Sequence, residues 1–270
     1  MDLELDGKKA LISAGHKGIG LHIATRLLEE GAEVSFCCRK KDDLDSAVTK
    51  LSATGRVRGY LCDFSDPEKV KAWVNDAGNA MDGIDICIGN ASASSQHGEG
   101  PDPWRASFDV DLLGTAMFFE AAKPFLLDST AASIIQIATI TAIEHHDVPI
   151  NPSYGATKAA TINLIAQLAQ RWGGEGIRAN TVSPGPILIK DGRWDDIRSR
   201  LPDLYEKDRL QHPSKRMGTG DEIADVVTFL ASPRAVGLPE QMLSLTVGIL
   251  NRLGFKSASL SPGDCPPDNH

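Results

Sequence analysis

Tyr154 and Lys158 stand four residues apart in the stretch YGATK, a spacing that puts both side chains on one face of a helix. A phenol with an ordinary pKa of about 10 is a poor acid or base at neutral pH. An ammonium beside it favours the phenolate and brings proton transfer toward the working range, so the pair reads as an acid–base couple. A second chemical feature lies near the N-terminus. Gly15, Gly18 and Gly20, in SAGHKGIG, separate the strand-like Ala10-Leu11-Ile12 from the helix-like Leu21-His22-Ile23-Ala24. Glycines there permit a tight turn and let backbone amides at the positive end of a helix approach a pyrophosphate. Each motif alone is common by chance, and the fold that holds them decides what they mean.

The elements that must position them read as strand followed by helix, repeated. Residues 9–13, 33–38, 57–61, 84–89, 133–138 and 177–183 are short apolar runs, and a seventh, 242–247, follows a helical pattern over 221–231. Between them apolar residues recur at helical spacing, as at Ile162, Ile165, Ala169 and Trp172. This alternation predicts an α/β fold, a Rossmann-type doubly wound parallel sheet of about seven strands with helices on both faces. The glycine loop then follows the first strand and Tyr154 follows the fifth. Residues 1–255 read as one domain and 256–270, rich in Ser, Pro and Asp, as a disordered tail.

Bulk properties narrow the function. The 270 residues suit one large domain, and 41% hydrophobic with 24% charged residues is ordinary for a globular protein. A net charge of −8 argues against a nucleic-acid partner, which needs a basic face. Residues 1–7 are acidic without an apolar core and no apolar run reaches bilayer length, so neither a secretory leader nor a membrane partner is expected, and the location expected is the cytoplasm. The five cysteines show no metal-ligand spacing. Adjacent Cys37 and Cys38 fall in a strand and should point to opposite faces, as small buried hydrophobes. His145-His146-Asp147 lacks a third ligand at suitable spacing, so no metal site is expected.

Taken together these residues resemble the short-chain dehydrogenase/reductase family. Its glycine pattern, TGxxxGxG, is matched by Gly18 and Gly20, with Ser13-Ala14 standing where Thr-Gly usually stands and Gly15 after them. Asp63 follows strand three, where the family's Asp accepts from the adenine amino group. Asn90-Ala91-Ser92 follows strand four in the place of the family's NNAG. RANTVSPGPI is similar to the family's strand six and its Pro-Gly turn, so that Pro184, Gly185 and Ile187 would lie beside the nicotinamide. The segment from Gly218 to Pro233 looks like its penultimate helix, and the likeness extends over about residues 5–250.

The resemblance implies hydride transfer between a nicotinamide and a carbonyl or alcohol carbon of a small or medium organic substrate. Tyr154 would exchange the proton; Lys158 would lower the phenol's pKa and hold the nicotinamide ribose. The family's serine after strand five is replaced here: in IIQIAT, Thr139 takes its position, with Thr141 as the alternative hydroxyl. The family's asparagine is replaced by Asp111 in DVDLLG, a carboxylate that would hold Lys158 charged and compete for its field. Ile189 stands where a Thr contacting the carboxamide is usual, and LTVG at 245–248 replaces VDGG.

The cofactor expected is NADP(H). Strand two ends in Cys37-Cys38-Arg39-Lys40-Lys41, without the acidic residue that binds the ribose of NAD, and Lys17 lies inside the glycine loop. Arg39 and Lys17 would suit the extra phosphate. Ser13, Gly15, Gly18, Ile19, Gly20 and Asn90 complete the expected cofactor contacts. Residues 187–213 would form a substrate lid carrying Arg193, Trp194, Arg198, Tyr205 and Arg209, and 94–100 would flank the site. Family members pair through helices, here about residues 103–127 and 153–172, so a homodimer or homotetramer is expected. Two rival readings remain open: a non-redox enzyme such as a dehydratase, isomerase or cyclase, and a protein that binds NADP(H) without catalysis.

Overall fold

The computed structural model describes residues 1–93, 99–143 and 151–237, together with the backbone of 240–245. Seven strands form one parallel sheet: β1 (Lys9–Ile12), β2 (Glu33–Cys38), β3 (Val57–Leu61), β4 (Ile86–Gly89), β5 (Ser133–Ile137), β6 (Arg178–Pro184) and β7 (Glu240–Leu245). Their order is β3-β2-β1-β4-β5-β6-β7. Strand order reverses between β1 and β4, so a crevice opens beyond the carboxyl ends of these two strands. The expected fold class is what the chain adopts. The seventh strand begins two residues earlier than expected, and residues 246–270, including the tail, fall outside the described residues.

The connections are helical: α1 (Gly18–Glu29), α2 (Lys41–Leu51), α3 (Pro67–Met81), α4 (Pro101–Ser107), α5 (Thr115–Leu127), α6 (Pro152–Trp172), α7 (Arg193–Arg200), α8 (Pro202–Gln211) and α9 (Gly220–Ala231). Local chemistry sets where they begin. Asp66 accepts from the backbone N–H groups of Glu68 and Lys69 ahead of Pro67 at the start of α3. Thr219 and Glu222 form a reciprocal capping box on α9. Arg216 beside Glu222 then holds that carboxyl down to about 2.

Alternate residues of each buried strand feed two cores, one per sheet face. Ile12, Phe36, Cys38 and Ile88 pack with α1, α2 and α9, whereas Leu11, Cys37 and Cys87 pack with α3, α5 and α6. Cys37 and Cys38 therefore do face opposite ways. Cys37, Cys38, Cys62 and Cys87 are all buried free thiols. Among the described residues no helix is long and apolar enough to cross a membrane.

Candidate active site

The glycine loop runs from the end of β1 into α1. Gly18 has φ +58°, a left-handed backbone that L side chains rarely adopt. At Gly20 a Cβ would come within 2.5 Å of Asn90 Nδ2 and 2.6 Å of the Ala14 carbonyl oxygen, so helix and loop can approach only without a side chain. The structure also aligns the family pattern: Ala14, with φ +53°, occupies the left-handed position that the family fills with glycine. Gly15 is then an additional glycine, whose own Cβ would meet Phe36 Cβ at 2.7 Å.

Ser13 and Asn90 hold this loop in place. Ser13 Oγ accepts from the N–H groups of Asn90 at 2.8 Å and Ala91 at 2.9 Å, and Asn90 Nδ2 donates to the carbonyls of Ser13 and Ala14, both at 3.1 Å. Ser13 is wholly buried, and its hydroxyl braces the loop from beneath. Asn90, by contrast, also lines the cavity, together with Ile19. The N-terminus of α1 carries no side-chain cap, leaving its amides to an anion. This donor set and the close-packed glycines fit a dinucleotide diphosphate.

At the β2 end lie the exposed Lys17 and Arg39, with His16 within reach of both charges. Burial lowers the His16 pKa, the charges of Lys17 and Arg39 lower it further, and Asp43, 3.9 Å from His16 Nε2, opposes them. Asp63 is half-buried just past β3. Burial raises its pKa, but donation from the Ser65 hydroxyl (2.8 Å) and N–H (3.1 Å), with the charges of Arg39 and Lys69, holds the carboxyl below its usual range.

Across the reversal point a cavity of about 280 Å³ is lined by Ser92, Thr139, Thr141, Tyr154, Lys158, Pro184, Gly185, Ile187 and Ile189 among others. Asn151 caps α6 by accepting from the Ser153 N–H at 3.0 Å, and Pro152 opens the helix. Tyr154 thus sits in the first turn and Lys158 one turn later. Lys158 Nζ donates to the Ile137 carbonyl at 3.0 Å and pairs with Asp111 Oδ1 at 3.2 Å. Asp111 is wholly buried in a π-helical turn, Phe108–Gly114, that widens the chain between α4 and α5. Its Oδ2 accepts from the Ala93 N–H at 3.1 Å.

The electrostatics differ from the sequence expectation. Removal from water pushes the Tyr154 phenol up, the Asp111 carboxylate adds to this, and the pKa rises to about 12. Donation from Thr139 and the charge of Arg193 oppose the rise. The Lys158 ammonium faces the Asp111 carboxylate and the Ile137 carbonyl, so the charge nearest to it is the one that also pushes the phenol up. Thr139, whose Oγ1 also lies 3.2 Å from that of Thr141, is the hydroxyl that meets the phenol. The structure therefore brings Tyr154, Lys158, Thr139 and Thr141 to the lining of one cavity, with Asp111 buried against Lys158.

Two features escaped sequence reasoning. The π-helical turn has no signature in hydrophobic period, and Arg193, though within the expected lid, gave no sign that its charge would reach Tyr154. His145, His146 and Asp147 lie outside the described residues, as do most of residues 94–100.

A doubly wound sheet with a glycine loop at its switch point and a phenol–ammonium pair across the crevice defines a dinucleotide-binding enzyme scaffold. Residues 13–249 match the family described as enoyl-(acyl carrier protein) reductase. The chain is 35% identical over 236 residues to isoepoxydon dehydrogenase of Penicillium expansum, covering 86% of this chain and 90% of that one. It is 31% identical to dehydrogenase/reductase SDR family member 4 of Bos taurus, over 92% of this chain and 89% of that one. L-sorbose reductase from Gluconobacter frateurii, solved with NADPH and L-sorbose, superposes with a TM-score of 0.84 at 27% identity, covering 94% of this chain and all of that one. The chain belongs to the short-chain dehydrogenase/reductase family, a family of oxidoreductases.

Proposed function

We propose that this protein is an NADP(H)-dependent reductase or dehydrogenase of a small carbonyl or alcohol substrate. The observation that carries the reading is the cavity at the switch point, where Tyr154, Thr139 and Lys158 share one wall with the Pro184–Gly185 turn. A nicotinamide dinucleotide held by the glycine loop and Lys158 would supply or accept the hydride. The Tyr154 hydroxyl gives a proton to the substrate oxygen during reduction and takes one back during oxidation. Thr139 Oγ1 donates to the same oxygen and fixes its direction. Lys158, locked by Asp111 and the Ile137 carbonyl, orients the ribose hydroxyls instead of tuning the phenol through an uncompensated charge. The phenol's raised pKa keeps its proton in place at neutral pH, the form that reduction requires.

Support for the phosphorylated cofactor comes from the two cations, Lys17 and Arg39, that act together on His16, and from the NADPH held by the similar L-sorbose reductase. Support for a small substrate comes from the cavity, whose 280 Å³ must take the nicotinamide ring as well and which lies at the low end for ligand sites. A titration should show NADPH binding more tightly than NADH, and NADPH absorbance should fall when a small ketone is added. Tyr154→Phe should lower the rate about 10²–10⁴-fold with NADPH affinity retained. Full activity in that variant sinks the mechanism, and product formed without net change in cofactor favours the non-redox reading.

A further inference from the structure

Thr139, the hydroxyl that the reaction as proposed uses, has a second threonine bonded to it. Just past β5, Thr139 caps the short 3-10 turn Ile140–Ala142. Its Oγ1 accepts from the Thr141 N–H at 3.2 Å, and its hydroxyl donates to Thr141 Oγ1, also at 3.2 Å. Both threonines line the cavity that Tyr154 lines, and Thr139 is only 7% exposed. On its other side Thr141 lies against the first turn of α6. A Cβ at Gly155 would meet the Thr141 carbonyl oxygen at 2.8 Å and its Cγ2 at 3.4 Å, so the residue after Tyr154 can pack this closely only as a glycine. The Thr141 methyl is thus seated on α6 while its hydroxyl meets Thr139. A β-branched side chain fixed at both arms holds one rotamer.

A threonine hydroxyl carries one proton and two acceptor positions. Two oxygens compete for the Thr139 proton: Thr141 Oγ1, which receives it here, and the substrate oxygen, to which hydride transfer assigns it. Thr141 can yield, because its own hydroxyl donates as well as accepts. When a substrate oxygen arrives, the Thr139 proton turns to it and the bond between the threonines reverses. Thr139 Oγ1 then holds two donors from Thr141, its N–H and its O–H, and both acceptor positions are filled. The proton is left with the substrate oxygen as its target. Filled lone pairs on Thr139 also draw no proton from the Tyr154 phenol, which stays available to the substrate. Successive hydrogen bonds that point the same way polarise one another, which strengthens the last donor in the chain.

We propose that Thr141 is a positioning residue for the reaction: its hydroxyl aims the single proton of Thr139 at the substrate oxygen. The identity of that oxygen rests on the hydride-transfer reading, whereas the coupling between the two hydroxyls does not require turnover.

A double-mutant cycle of Thr139→Val and Thr141→Val tests it, with Thr141→Ser as the variant that keeps the hydroxyl. With NADPH and butan-2-one, Thr141→Val should lower kcat roughly three- to tenfold, the worth of one hydrogen bond. Thr141→Ser should stay within about twofold of wild type, since the hydrogen bond survives. In the Thr139→Val background, Thr141→Val should cost less than about twofold, because its hydroxyl has nothing left to aim. Equal losses in both backgrounds overturn the assignment, since a structural role or a direct contact of Thr141 with substrate would persist without Thr139. A Thr141→Ser variant as slow as Thr141→Val overturns it too. Calorimetric titration of isobutyramide into NADPH-loaded protein gives a readout without turnover, because this amide presents a carbonyl oxygen and takes no hydride. The same non-additive pattern is expected there, as a roughly three- to tenfold loss of affinity. That pattern with no ketone reduction by wild type counts against hydride transfer and leaves the Thr141 assignment standing. Additive losses in isobutyramide affinity overturn the assignment whatever the ketone assay shows.

Discussion

At the glycine loop and beside Lys158 the chain departs from its family's pattern, and the departures differ in kind. At the loop end, Ala14 replaces a glycine and retains the left-handed backbone, φ +53°, that the glycine would have adopted freely. At the catalytic end, Asp111 replaces an asparagine and forms an ion pair with Lys158 in which neither side chain is more than 2% exposed. The first change alters conformational energy and leaves the electrostatics of the loop amides as they were. The second changes the charge acting on the acid–base group, because both partners are out of water, where charges are weakly screened. A backbone requirement can be violated locally; a charge requirement cannot be violated without shifting its neighbours.

The largest effect expected from this contrast is on stability. Lys158→Met removes one partner of a buried pair and leaves Asp111 uncompensated, which should cost about 3–5 kcal/mol. Urea unfolding would measure it, and adding Asp111→Leu to that variant should recover much of the loss. A single variant as stable as wild type would mean that the pair is not buried in solution.

Next in size is the titration of Tyr154. Its pKa lies above the ordinary phenol value, so the phenolate needed for alcohol oxidation accumulates only as pH rises toward about 12. Asp111→Asn removes a negative charge that disfavours the phenolate and frees the field of Lys158, so the pKa must fall. The rise of oxidation rate with pH should move down by about one unit, equivalent to about 1.4 kcal/mol. A pH–rate profile that stays put or moves up refutes the electrostatic reading. The smallest effect belongs to the loop: Ala14→Gly should relieve left-handed strain and raise stability by on the order of 1 kcal/mol. Tyr154's pH profile should not respond, and a shift there would break the separation between the two ends.

Much of this was legible in sequence because it depends on local pattern. β2 and β3 run over the residues that their apolar runs indicated, and Cys37 and Cys38 alternate as a strand demands. Tyr154 and Lys158 share a helix face because four residues make about one turn, with Asn151 and Pro152 marking where that helix starts. What sequence spacing did not announce is that the Ser13 hydroxyl is turned under the loop to accept two backbone donors. Whether a polar side chain faces ligand or scaffold depends on neighbours 77 and 78 residues away in the chain.

By itself, then, the sequence determined the strand–helix alternation, the glycine loop between β1 and α1, and the placing of Tyr154 and Lys158 on one helix face, because each is written in residues close together along the chain. Tertiary structure alone decided that Lys158 pairs with Asp111, that Thr139 meets the phenol, and that Arg193 reaches the cavity that Tyr154 lines. Those outcomes turn on distances between groups far apart in the chain and on how much water lies between them, and neither quantity is encoded in spacing.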